Sequence, residues 1–191
     1  MLEVLRQPLE EKKVTVARAK YTIEYPANFM LVAAMNPCPC GYYNHPTKEC
    51  VCSAASVSRY INRISGPLLD RIDLHVEVTP VALDEISSTA PAEKSAAIRE
   101  RVVAARARQA ARFAGTNGIH TNAMMNPAML REFCRLDAAC SAMLGRAMER
   151  LDLSARAYDR IVKVARTIAD LAASPDIRPE HIAEALSLIH I

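Results

Sequence analysis

Residues Phe29 to Met35 read Phe-Met-Leu-Val-Ala-Ala-Met, an apolar run with no polar alternation. Such a run is the pattern of a strand buried on both faces, as in a parallel α/β sheet. Residues Ile72 to Val78 alternate strictly between apolar and polar, which predicts a half-exposed strand that Thr79-Pro80 ends. Val14-Thr15-Val16 and Tyr21 to Tyr25 are short β-type runs on either side of Arg18-Ala19-Lys20 and predict a hairpin. Residues 2–9 have the character of a helix tail, and Ser56 to Leu69 predicts one or two short helices broken at Gly66-Pro67. From about residue 92 the spacing turns helical, with helices expected near 92–113, 127–134, 137–150, 154–173 and 179–188. Thr89-Ala90-Pro91 and Gly115 to Gly118 read as linkers. There is no internal repeat and no low-complexity tract. The expected organisation is an α/β part over 1–80, a linker over 81–91 and an all-helical part over 92–188.

The bulk composition changes this picture little. A chain of 191 residues fits one or two domains. A net charge of +3 is too small to argue for nucleic acid by itself. It is uneven, however: residues 92–113 hold six Lys/Arg against two Asp/Glu. Their stripe of Arg99, Arg101, Arg106, Arg108 and Arg112 suits nucleic-acid phosphates, although a run of this kind is more often a solvated helix face. No apolar stretch is long enough to span a membrane. The N-terminus lacks the layout of a signal peptide, and Met1 opens what reads as the tail of a helix. Six cysteines without an export signal point to a cytoplasmic protein with reduced or metal-bound thiols rather than disulfides.

Four of those cysteines follow the apolar run as Cys38-x-Cys40 and Cys50-x-Cys52, with nine residues between the pairs. Two thiolate pairs on one loop can supply the four ligands that zinc prefers, although one intervening residue is tighter than the common spacing. His45 is a substitute ligand, and inert loop thiols are the plainer reading. Cys134 and Cys140 sit in apolar helical context, where a free cysteine packs as a small hydrophobe. Asn36 ends the apolar run, where open α/β sheets bind ligands. An Asn-Pro turn without function accounts for it equally well. Arg71 stands in Asp70-Arg71-Ile72-Asp73, either as a surface ion-pair member or as a fork of donors presented to an anion. Ser154 is a good N-cap, which puts Arg156 in the first turn of a helix, against the helix dipole. A bound anion there would remove the conflict. An apolar face through Ala157, Ile161, Val164, Ile168 and Leu171 leaves Arg156, Arg160 and Lys163 off the core. The chain contains no Ser-His-Asp set, no carboxylate pair with a defined role and no G-x-x-x-x-G-K-[ST] loop.

Four stretches taken in order resemble the magnesium-chelatase-like AAA+ ATPases, in the competence-protein (ComM/YifB) branch. They are Leu2 to Glu10, Ala34 to Gly41, Ile64 to Asp73 and Leu153 to Arg160, and the resemblance runs to about Leu186. It implies a partial P-loop NTPase core, made of a β-hairpin with the sensor-1 strand and the last core strand, followed by an all-helical lid. It implies that Asn36 is sensor 1, positioning the attacking water near the γ-phosphate. Arg71 would be the arginine finger, reaching the nucleotide of a neighbouring subunit, and Arg156 would be sensor 2, contacting the nucleotide from the lid. The 14–25 hairpin resembles an insertion that lines the pore of such rings. The implied whole is a hexameric, ATP- and Mg²⁺-dependent motor acting on DNA in branch migration. The chelatase relatives instead drive metal insertion into a tetrapyrrole.

The departures from the family also carry expectations. Walker A, Walker B and the usual Lon-protease-like N-terminal domain would precede residue 1. The strand bearing Walker A would lie between 29–35 and 72–78, so residues 1–80 alone are expected to fold poorly while the helical part holds together. Leu186 to Ile191 does not continue the family pattern. The chain by itself is expected not to hydrolyse ATP. A zinc-stapled nucleic-acid-binding module without ATPase activity and a true metal-chelatase subunit are the alternatives.

Overall fold

The computed structural model describes residues 2–81, 87 and 92–189. The chain divides into two units, residues 1–72 and 73–191. The linker expected over 81–91 falls largely outside the described residues, as do His190 and Ile191 of the divergent terminus.

The first unit begins with a 3-10 turn at Leu2–Leu5 and helix α1 (Arg6–Glu11). Lys12 ends α1 in the left-handed conformation at φ 56°, donating its N–H to the Pro8 carbonyl at 3.0 Å. The chain then enters the hairpin β1 (Lys13–Arg18) and β2 (Tyr21–Pro26). The pair is antiparallel, with Val14 opposite Tyr25, Val16 opposite Ile23 and Arg18 opposite Tyr21. Alternation therefore puts Val14, Val16, Arg18, Tyr21, Ile23 and Tyr25 on one face. That face is open, with Tyr21 67% and Tyr25 52% exposed. A Lys13–Glu24 ion pair at 2.7 Å crosses the other face.

The strand expected at 29–35 does not form. The segment carries no ladder and lies exposed, with Met30 87% and Val32 81% accessible. The strand expected at 72–78 is also absent, and Leu74, Val76 and Val78 are exposed. Among the described residues β1 and β2 pair only with each other. A strand buried on both faces is a property of its neighbours as much as of its own sequence, and among the described residues neither segment has one to pair with. The observed α/β content is therefore a two-stranded ribbon with helices.

Helix α2 (Ala54–Ile61) is capped by Ser53, whose hydroxyl accepts from Ser56 N–H at 3.3 Å. The one-turn helix α3 (Gly66–Leu69) is capped in the same way by Ser65. Gly66-Pro67 therefore starts a helix rather than breaking one, because proline fits the first turn, where its missing N–H has no helical partner. Only Pro8, Cys38, Val57 and Leu68 are buried among the described residues of this unit.

The second unit is helical. It comprises α4 (Ser95–Arg112), a 3-10 turn at Asn122–Met124, α5 (Pro127–Phe133), α6 (Ala138–Arg150), α7 (Ala155–Leu171) and α8 (Pro179–Ser187). Asn126, Asp137 and Ser154 cap α5, α6 and α7 through their side chains. The core gathers Phe113, Leu130, Leu144, Ile161, Ala165, Ile168 and Ile182 around α7. The first half of α4, residues 95–104, is exposed, and burial begins at Ala105. The backbone of His75 donates to the Leu188 carbonyl at 2.8 Å, tying the start of this unit to the end of α8. No helix among the described residues is long and apolar enough to cross a membrane.

Candidate functional site

The clearest convergence of chemistry is the loop between β2 and α2. Cys38, Cys40, Cys50 and Cys52 bring their four Sγ atoms within 4.8 Å of one another. Cys38 Sγ lies 3.3 Å from Cys40 Sγ and 3.7 Å from Cys50 Sγ, and Cys40 and Cys50 are 3.6 Å apart. The first pair is folded by a tight turn in which Gly41, at φ +83°, donates its N–H to the Cys38 carbonyl at 3.0 Å. A positive φ of this size suits glycine. Backbone N–H from Tyr42 holds the Cys40 thiol down at about 6, against opposing burial. At Cys38 burial opposes ionisation, but N–H groups of Tyr43 and Tyr42 outweigh it and lower the thiol. Cys50 is pushed up to about 12: the Cys52 N–H favours its thiolate, but burial and the Cys40 and Cys38 sulfurs overcome that. Four sulfurs competing for protons at this distance are a donor set that can hold a metal ion.

The other residues singled out from the sequence do not join this cluster. Asn36 is exposed, at the end of a segment without strand pairing. Arg71 is engaged inside its own unit. Its Nε donates to Glu10 Oε2 at 3.0 Å, its Nη2 pairs with the same oxygen, and its Nη1 donates to the Pro67 carbonyl at 2.6 Å. Arg156 is exposed in the first turn of α7, after the Ser154 cap, whose hydroxyl accepts from Ala157 N–H at 3.2 Å.

Three sequence readings are corrected in the helical unit. Arg160 lies in the buried face of α7, only 8% exposed, and not off the core; Leu171, expected on that face, is exposed. Arg112, read as part of a solvent-facing phosphate stripe, is turned inward. It forms a bidentate pair with Asp170, Nη1 to Oδ2 at 2.7 Å and Nη2 to Oδ1 at 2.5 Å, and also donates to Asn122 Oδ1 at 2.7 Å. Arg108 donates to the Asp170 carbonyl at 3.1 Å, and Arg101 pairs with Glu93, so much of the stripe is spent on internal contacts.

Asp170 is the centre of a network that sequence reasoning missed. It is fully buried, and Arg166, 2% exposed, sits 3.2 Å away one helical turn earlier. Arg166 also donates to the Ser174 and Pro175 carbonyls at 2.7 Å each, which closes the end of α7. Asn122 Nδ2 donates to Asp170 Oδ2 at 2.8 Å and to Thr167 Oγ1 at 3.1 Å. Burial opposes ionisation of Asp170, but Arg112, Asn122 and Arg166 outweigh it and hold the carboxyl below its ordinary value. The available signal was the i, i+4 Arg-Asp pair on an otherwise apolar helix face.

Two family models match the chain. That for magnesium chelatase, subunit ChlI, covers residues 1–86, and that for the subunit ChlI C-terminal region covers residues 92–188. The chain is 42% identical over 189 residues to the uncharacterized protein YifB of Escherichia coli, covering 97% of this chain and 36% of that protein. It is 42% identical over 187 residues to the competence protein ComM of Haemophilus influenzae, with 97% and 35% covered. An uncharacterized protein of Mycobacterium tuberculosis is 39% identical over 186 residues, with 97% and 36% covered. The chain thus spans about a third of the length of the curated relatives it matches.

Proposed function

Because the chain belongs to the magnesium chelatase subunit ChlI family, we propose that it is the sensing half and helical lid of an AAA+ ATPase. In this reading residues 1–80 belong to the nucleotide-binding core, 81–91 link, and 92–188 form the lid. The 191 residues contain no G-x-x-x-x-G-K-[ST] loop. On their own they therefore do not fit a complete ATP–Mg²⁺ site, and no hydrolytic step is assigned to this chain alone. Its residues would finish a site whose phosphate cradle lies in other sequence.

Within that site Asn36 orients the attacking water, Arg71 reaches the nucleotide of the adjacent subunit in a hexameric ring, and Arg156 contacts the nucleotide from the lid. Catalysis in sites of this class is positioning and charge stabilisation, which suits a neutral amide and two guanidinium groups. The observation that carries the reading is Arg156. It is an exposed cation in the first turn of a Ser-capped, 17-residue helix, where the helix dipole and a guanidinium both favour an anion. Arg71 would have to exchange its Glu10 contact for the neighbour's phosphate.

The proposed substrate of the motor is DNA. The name of the Haemophilus influenzae relative, a competence protein, supports this reading. So does the hairpin, which offers Arg18 and Lys20 at its tip beside exposed tyrosines. The test is ATP hydrolysis and DNA-junction migration by the full-length protein. Arg71→Ala is expected to lower turnover by about 10³-fold or more while nucleotide still binds. Turnover unchanged by both Arg71→Ala and Arg156→Ala would overturn the assignment. The convergence of four thiols favours a second reading, a metal-stapled nucleic-acid-binding module. That reading expects salt-dependent DNA binding by the 191 residues alone and no nucleotide effect.

A further inference from the structure

We propose that Cys38, Cys40, Cys50 and Cys52 bind one Zn²⁺ ion in a closed tetrathiolate site whose purpose is structural. The geometry fits that ion closely. Four sulfurs at a Zn–S distance of about 2.3 Å form a tetrahedron with edges of about 3.8 Å. The three Sγ–Sγ distances among Cys38, Cys40 and Cys50, 3.3, 3.7 and 3.6 Å, fall within half an ångström of that edge, and Cys52 Sγ lies within 4.8 Å of each of them. All four sulfurs lie within 4.8 Å of one another, which leaves room for a single ion between them and none for a multi-iron cluster. The thiols are free, so the approach does not reflect disulfide bonding.

The donor set is complete without His45. That imidazole is turned to its own loop, where Nδ1 accepts from the backbone N–H of Thr47 at 3.2 Å and of Lys48 at 3.1 Å. Soft thiolates in a tetrahedral array select zinc over the hard divalent cations.

Four protein ligands leave no open position, so the ion would activate no water and bind no substrate. Its value lies in the shape of the first unit. Four buried side chains among its described residues make a very small core, and one of them is Cys38 itself. A metal that closes the loop after Asn36 would fix that loop where hydrophobic burial cannot. The inference is independent of any ATPase role, and its test reads metal rather than turnover.

The 191-residue chain, purified in reductant without chelator, is expected to carry about one zinc per chain by atomic emission. Exchange with Co²⁺ should give thiolate charge-transfer absorption and the intense visible bands of a tetrahedral site. Cys40→Ser and Cys50→Ser should each weaken retention against a competing chelator by at least about tenfold. Cys134→Ala, in the helical unit, should leave the stoichiometry unchanged. A reduced wild-type chain without zinc and without the Co²⁺ spectrum would overturn the proposal. So would undiminished zinc in the Cys40→Ser/Cys50→Ser double variant, or iron with acid-labile sulfide in place of zinc. If the serine variants do not accumulate, the wild-type stoichiometry and cobalt spectrum decide.

Discussion

Replacing Asp170 by alanine removes the carboxylate that both Arg112 and Arg166 face in the interior of the helical unit. Asp170 has no exposure, Arg166 is 2% exposed, and the Arg112 side chain is 14% exposed. The substitution therefore leaves two guanidinium groups close together without their shared counter-charge, and Asn122 loses an acceptor. Breaking a buried ion pair from one side costs about 3–5 kcal/mol, because the remaining charge stays desolvated. Arg166 keeps its bonds to the Ser174 and Pro175 carbonyls, so the lower half of that range is expected. For a helical unit of this size each kcal/mol shifts the melting midpoint by about 3–5 °C, so the drop should be about 10–20 °C. The assay is far-UV circular dichroism at 222 nm on the whole chain, with the helical signal as readout. Asp170→Asn, which keeps shape and one acceptor, should fall between wild type and alanine. A drop below about 3 °C for Asp170→Ala would mean that the network contributes no more than an exposed pair, and would refute the reasoning.

The same carboxyl predicts an acid limb. Its folded pKa lies below the unfolded value, so its contribution is present above about pH 4 and is lost as pH falls through the folded pKa. Thermal stability of the helical signal should hold from pH 7 to 5 and fall below about 4, and Asp170→Asn should flatten that fall. Ser154→Ala removes the side-chain cap of α7 and should cost about 1 kcal/mol, read as a 3–5 °C lower midpoint. An unchanged midpoint would mean the cap is not used. Under the DNA reading, Arg18→Ala/Lys20→Ala at the hairpin tip should weaken binding evenly across sequences and reduce the slope of log affinity against log salt by about 1–2. A change confined to one sequence would speak against phosphate contact.

The helical half of the molecule was largely legible. Its helices announce themselves by 3.6-residue spacing and, for α7, by Ser154 at the expected start, local signals that need no partner. The thiol cluster was legible for a related reason, since ligand count and spacing on a single loop are properties of that loop. The strands at 29–35 and 72–78 were not. Their composition is strand-like, but pairing is decided by chain segments that the pattern does not contain. The Arg112–Asp170 contact joins residues 58 apart, so an arginine that looked like part of a solvent-facing stripe could not be recognised as an internal counter-ion. Arg160 was misplaced for a similar reason: long side chains can lie on a packed face, and spacing alone does not show which ones do.

The unpaired segment Phe29–Met35 has a consequence for how this chain behaves in a tube. Seven consecutive uncharged residues, with Met30 and Val32 almost fully open to solvent, present bare amide and carbonyl groups beside apolar side chains. Short, uncharged stretches of this kind self-associate edge to edge, because a second copy satisfies the backbone of the first. Light scattering should therefore rise steeply with protein concentration and fall when Val32 is replaced by lysine, a charge that repels the incoming copy. The same hunger for hydrogen bonds that makes the segment a hazard in isolation would make it a ready acceptor for the β-strands of a more complete sheet.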